Sequence, residues 1–213
     1  MKFKHVIWDW NGTLVDDIAL SVSVFNTLMR DNGLGEVEKS TYVEKFKIPV
    51  RDFYEELGFD FSKKSFREVG EYYIAEYNSR RFECDLYAGA RICLHSLSEA
   101  GVGQSVLSAY EKNHLLSALS HYGIDKIFTA IAGLENIDAG SKVEVGKAHV
   151  MRLGINPKDA VMIGDTVHDK QTADAMGVAC ALISTGHNSR RRLEKTGAPV
   201  FDTHAQLLDF LHE

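Results

Sequence analysis

Two apolar runs in this chain stop at an acid, and each is followed by residues suited to handling an oxyanion. Val6-Ile7-Trp8 ends in Asp9, with Asn11-Gly12-Thr13 just beyond. Val161-Met162-Ile163-Gly164 ends in Asp165, with Asp169 four residues later. A short apolar run that stops at an acid is how a buried strand carries a carboxylate to its open end. Glycine at 12 permits close backbone approach, and successive N–H groups in such a turn can cradle an anion. Thr166 and Asp169 have the spacing of a capping box, which puts Asp169 on the first turn of a helix, where acids are favoured. Two or three carboxylates meeting at one sheet edge repel each other unless a cation sits among them. Mg²⁺, which takes oxygen ligands and keeps several waters, is the natural occupant.

Two weaker features point at the same edge. Ser141 and Glu144 form a second capping-box pair, so a helix is expected to begin there with Lys142 at its N-terminus. A lysine opposes the helix dipole at that end, which suggests that it serves something anionic. Lys147 is its rival but lies over a turn further in. Ser108 follows the apolar stretch 104–107 and can offer a hydroxyl to an oxyanion. Each of these residues also has a purely structural reading: a capping acid, a solvated lysine, a small polar residue closing a strand.

These residues need a scaffold. β-rich runs at 6–8, 104–107, 127–132, 160–163 and 178–183 are separated in the later chain by helical patterns at 112–122, 142–153 and 169–176. That alternation implies an α/β fold, a Rossmann-like doubly wound parallel sheet with helices on both faces. Ligands bind such sheets beyond the carboxyl ends of the strands. From about Asp16 to Arg81 no strand is expected; helical patterns at 18–30, 40–46, 50–57 and 62–77 replace them. The division is a core of 1–15 and 86–213 and an inserted helical lobe of 16–85. The lobe's aromatic residues, Phe53, Tyr54, Phe66, Tyr72, Tyr73 and Tyr77, have helical spacing and read as its core.

Composition narrows the class. Of 213 residues, 45% are hydrophobic, enough for a substantial core, and the formal charge of −6 argues against nucleic acid or an anionic membrane as partner. Three widely spaced cysteines fit a reducing, cytoplasmic setting. Only three apolar residues precede Asp9 after a charged start, too few for a signal peptide, and no window has transmembrane length. A monomer or weak homodimer is expected.

Taken together, the motifs resemble the haloacid dehalogenase-like hydrolase superfamily over nearly the whole chain. Asp9-x-Asn11-Gly12-Thr13 looks like its first motif, Ser108 its second, Lys142 its third and Gly164-Asp165-x-x-x-Asp169 its fourth. The helical lobe looks like its small α-helical cap, and the chain is most similar to the phosphoglycolate-phosphatase-like branch. The resemblance implies a phosphatase acting on a small phosphorylated metabolite. Asp9 would attack the phosphoryl group and become an aspartyl-phosphate. Asp165, the Asp9 carboxylate and the Asn11 main-chain carbonyl would hold Mg²⁺, with Asp169 orienting or completing the set. Gly12, Thr13, Ser108, Ala109 and Lys142 would hold phosphoryl oxygens.

At Asn11 the chain departs from the family, whose phosphatases normally carry an aspartate there for acid–base work. An amide cannot do that work, which is typically worth about 10²–10⁴-fold in rate. A substrate with a good leaving group, such as an acyl phosphate, would need less help. His168, His187 or a cap residue are candidate substitutes. Two further readings are a phosphonatase-type reaction through a Schiff base on cap Lys47, and an attenuated phosphate-ligand binder. Lys47 and Arg51 are also candidates for contacting an anionic substrate tail. Arg190-Arg191-Arg192 reads as the solvated start of a helix.

Overall fold

The computed structural model describes residues 1–135 and 142–213. Its centre is a six-stranded parallel sheet in the order β3-β2-β1-β4-β5-β6. In chain order the strands are β1 (His5–Trp8), β2 (Gly103–Glu111), β3 (Ala130–Leu134), β4 (Ala160–Gly164), β5 (Ala179–Ile183) and β6 (Val200–Phe201). The helices are α1 (Ile18–Asp31), α2 (Lys39–Lys45), α3 (Val50–Glu56), α4 (Phe66–Arg80), α5 (Ala88–Glu99), α6 (Lys112–His121), α7 (Lys142–Leu153), α8 (Val167–Met176), α9 (Arg190–Glu194) and α10 (His204–His212).

β1 is the central strand because both of its faces are apolar. Val6 and Trp8 pack with Leu94, Leu97, Leu115 and Leu207 from α5, α6 and α10 on one face. Ile7 packs on the other with Val150, Ala173 and Met176 from α7 and α8. Strand order reverses at β1, which pairs with β2 on one side and β4 on the other. That reversal opens a crevice beyond the carboxyl ends of β1 and β4.

Between β1 and β2 the chain inserts α1 to α4, with a separate core of Ile18, Phe25, Leu28, Phe53, Tyr54 and Val69. The chain leaves and re-enters the sheet region side by side. Val15 bridges Leu86, and the Asp16 N–H donates to the Asp85 carbonyl.

Several boundaries differ from the sequence reading. The helix expected from residue 62 begins at Phe66, because Ser65 and Glu68 form the real capping box. The strand expected over 127–132 is Ala130–Leu134, since Asp125–Ile127 forms a 3₁₀ turn. Ser108 lies within β2 rather than at its end, where the register against β3 shifts after Leu107. The Thr166–Asp169 capping box is present, whereas Ser141, expected to cap α7, lies outside the described residues. Cys93 is buried, Cys180 is half-buried, and all three cysteines are free. No helix among the described residues is long and apolar enough to cross a membrane.

Candidate active site

Asp9 leaves β1 and Asp165 leaves β4, so adjacent parallel strands bring the two carboxylates to one edge. Asp169, on the first turn of α8, joins them. Oxygens of all three lie within 4.8 Å of one another, and all three residues are buried. Lys142, at the start of α7, enters from the other side. Its ammonium donates to Asp169 Oδ1 at 2.6 Å and to Asp9 Oδ1. Lys147 instead pairs with Glu144 at the surface.

Burial pushes the Asp9 carboxyl up to about 6 against the pull of Lys142. Burial also raises Asp165, helped by the neighbouring carboxylates. At Asp169 burial acts the same way, but the Lys142 ammonium outweighs it and holds that carboxyl low. Burial disfavours the charge on Lys142 too, yet Asp169 and Asp9 hold its proton more tightly than usual. The Lys142 ammonium therefore touches two of the three clustered carboxylates, Asp9 and Asp169. An all-oxygen donor set with excess negative charge fits Mg²⁺ and not a metal that prefers nitrogen or sulfur.

The backbone around the cluster is shaped to let the carboxylates in. Gly12 has φ +70°, and a Cβ there would stand 2.4 Å from Asp165 Oδ2. A Cβ on Gly186 would stand 2.0 Å from the same oxygen. Thr13 and the backbone of His187 fix Asp165, their hydroxyl and N–H donating at 3.0 and 2.6 Å. Asp169 Oδ2 accepts from the N–H groups of Asp165 and Thr166 and from the Thr166 hydroxyl.

Two residues expected in the phosphate cradle have carboxylate partners here. The Thr13 hydroxyl is turned to Asp165, and the Gly12 N–H donates to Asp17 Oδ1 at 2.8 Å. Both residues organise carboxylates because those acids are the nearest acceptors. Ser108 is buried at the cavity wall with its hydroxyl accepting from the Tyr110 N–H, and Ala109 lies beside it. Lys47 and Arg51 do not line the cavity. They form surface pairs with Glu56 and Glu55 at 2.5 and 2.9 Å, so Lys47, the amine of the Schiff-base reading, is engaged away from the cavity.

Asn11 holds the residue that sequence reasoning missed. Its amide donates to Asp17 Oδ2 at 2.8 Å and to the Tyr77 hydroxyl at 2.7 Å, and that hydroxyl donates on to Asp17 Oδ2 at 2.8 Å. Asp17 is buried immediately before α1, and His187 Nε2 lies 3.6 Å from its other oxygen. Burial alone would raise Asp17, but the His187 imidazole, the Asn11 amide and the Tyr77 hydroxyl hold it below its ordinary value. Burial opposes charge on His187, yet Asp17 carries it up to about 9. His187 Nδ1 also lies 3.2 Å from the Tyr42 hydroxyl. His168, the other expected substitute, is half-buried on the cavity wall and is lowered by burial. The sequence signal for Asp17 was an acid at a helix start, indistinguishable from a cap.

The catalytic edge opens into a cavity of about 410 Å³ that runs up through the helical insertion. Phe53, Tyr54, Phe66, Tyr73 and Tyr77, expected only as packing, line it as well; Tyr72 is exposed and does not. Besides the side-chain bonds at Tyr42 and Tyr77, main-chain carbonyls of the insertion dock it to the core. Ser189 N–H donates to the Val43 carbonyl at 3.1 Å, and the Asn188 amide to the Phe46 carbonyl at 2.9 Å. Arg192 donates to both carbonyls. Arg190 and Arg191 form surface ion pairs, so of the basic cluster only Arg192 departs from a solvated role.

A family model for haloacid dehalogenase-like hydrolases matches residues 6–183. The tyrosine-protein kinase PtkA of Mycobacterium tuberculosis is 30% identical over 98% of this chain and 71% of its own length. A phosphoglycolate phosphatase of Haemophilus influenzae is 25% identical, covering 99% of both chains. Among solved structures, a predicted phosphatase from Clostridium acetobutylicum shares the fold with a TM-score of 0.84, at 21% identity and 99% coverage of both chains.

Proposed function

The chain belongs to the haloacid dehalogenase-like hydrolase family, and from that premise we propose that it is a Mg²⁺-dependent phosphohydrolase of small phosphorylated metabolites. The observation that carries this reading is the position of Asp9, buried at the end of the central strand, touching Lys142 and within 4.8 Å of Asp165 and Asp169. A carboxylate so placed can attack phosphorus as the bond to the leaving oxygen breaks, and the electron pair departs with the leaving group. Water then attacks the phosphorus of the aspartyl-phosphate and releases inorganic phosphate. Lys142 donates to the phosphoryl oxygens as their charge develops. Asp9, Asp165, Asp169 and the Asn11 main-chain carbonyl would hold Mg²⁺, which supplies charge neutralisation when bound. Residues 16–85 form the cap and 1–15 with 86–213 the catalytic core.

Asn11 cannot protonate the leaving oxygen, and its amide is already engaged by Asp17 and Tyr77. The site therefore suits substrates that leave without a proton, such as acyl phosphates. To test the assignment, acyl phosphates, sugar phosphates and p-nitrophenyl phosphate are incubated with the protein and Mg²⁺, and released phosphate is measured. Turnover is expected on the acyl phosphates and absent in Asp9→Ala. No release above the Asp9→Ala background on any substrate overturns the assignment. The relative named a tyrosine-protein kinase adds a second acceptor, a tyrosine hydroxyl in place of water. Mass spectrometry for phosphotyrosine in the same incubations distinguishes the two acceptors.

A further inference from the structure

The cavity above Asp9 has two unlike halves. Its floor holds the carboxylates, Lys142 and the two histidines, whereas the helical insertion walls it mainly with Phe25, Phe46, Phe53, Tyr54, Phe66 and Ile74. The hydroxyls of Ser21, Tyr42 and Tyr77 that the insertion adds are bonded to Asp17 or His187. The cation on the described wall of that half, Arg67, is at the rim and in an ion pair with Glu71. Lys47 and Arg51, the cations that would have received a second anionic group, point elsewhere and are paired. A carboxylate or second phosphate rising from the floor would be stripped of water among aromatic rings, which is costly without a partner. An apolar group would gain from the same surroundings.

One residue of the upper wall is a glycine in the interior of α4. A Cβ on Gly70 would meet nothing within 4 Å, so the helix tolerates its least favourable non-proline residue beside open space.

We propose that the substrate of this site is a phosphate compound whose leaving group carries an uncharged, apolar tail, aliphatic or aromatic, seated in the upper cavity against Phe25, Phe53, Phe66 and Ile74 beside Gly70. The proposal rests on the phosphohydrolase reading and excludes from its preferred substrates those with a second anionic group, phosphoglycolate included.

Its test uses phosphonates, whose P–C bond this chemistry does not cleave, so that binding is read whether or not the protein turns over. n-Alkylphosphonates from methyl to hexyl are titrated by calorimetry into the whole chain with Mg²⁺. The dissociation constant is expected to fall by up to about fourfold for each methylene seated in the cavity. A carboxyl-ended phosphonate is expected to bind at least tenfold more weakly than the alkyl compound of equal length. Gly70→Phe and, as a second variant, Ile74→Trp are expected to flatten the dependence on tail length, with folding confirmed by thermal melting. Equal affinity along the series, or tighter binding of the carboxyl-ended compound, overturns the proposal. Tail-dependent binding without phosphate release from any substrate overturns the hydrolase reading alone.

Discussion

At the scale of single residues, the site is defined by where charge has been placed around Asp9. An amide stands at position 11, and a carboxylate six residues on accepts its hydrogen bond at 2.8 Å. Asn11→Asp would set two acids at hydrogen-bonding distance, and like charges so close raise the pKa of one of them. We therefore expect Asn11→Asp alone to leave turnover of sugar phosphates low. Asn11→Asp combined with Asp17→Asn should raise it by about 10²-fold, read from kcat/KM with acyl phosphates as the control. Lys142 gives a second prediction. Removing one partner of a buried ion cluster typically costs about 3–5 kcal/mol. Lys142→Ala should lower the melting temperature in chelator, and Mg²⁺ should restore more of it than it adds to the wild type. Equal Mg²⁺ increments in the two proteins would mean that Lys142 does not neutralise the carboxylates.

At the scale of elements, strand ends and helix starts do the positioning. The loop after β5 brings Gly186 against Asp165, where a Cβ would overlap Oδ2. Gly186→Ala is expected to weaken Mg²⁺ binding by about 10–100-fold, measured by calorimetry, because it displaces a carboxylate held by the adjoining His187 N–H. Elements of this kind were legible in the sequence where one signal dominated. Val6–Trp8 and Val161–Gly164 are continuous apolar runs, as fully buried parallel strands must be, and the Thr166–Asp169 pair marked α8. The start of α4 was misplaced because Ser62 precedes the real cap at Ser65, and the two serines look alike until Glu68 is weighed. Asp17, Tyr77 and the path of the cavity were beyond reach. Asp17 is tied to Tyr77 and His187, 60 or more positions away, as well as to its neighbour Asn11, and an aromatic that packs reads the same in sequence as one that walls a cavity. The bond from the Thr13 hydroxyl to Asp165 was equally beyond reach, because nothing local distinguishes a hydroxyl aimed at phosphate from one aimed at a neighbouring acid.

At the scale of the whole molecule, stability and docking come into play. His149 on α7 is buried, and among the described residues its Nε2 has no hydrogen-bond partner. Burial, with the nearby charges of His5 and Arg152, brings its pKa from 6.5 down to about 4. The unfolded chain thus binds more protons between those values, and stability is lost as pH falls through that window. A shift of this size corresponds to ~3 kcal/mol. His149→Gln should flatten the loss of stability between pH 6.5 and 4, measured by urea unfolding at several pH values; an unchanged slope would assign the loss to other groups. The docking of the helical insertion has a different kind of consequence. Ser189, Asn188 and Arg192 all address the carbonyls of Val43 and Phe46, and every residue type carries a carbonyl. Those bonds do not depend on which side chains stand at 43 and 46, although Phe46 also packs against His187 and helps shape the cavity. Tyr42 and Tyr77 are bound more tightly to their identity, since each lines the cavity and also bonds across to the core, at His187 and Asn11. A change of substrate that begins at those two positions therefore loosens the joint between the halves as well.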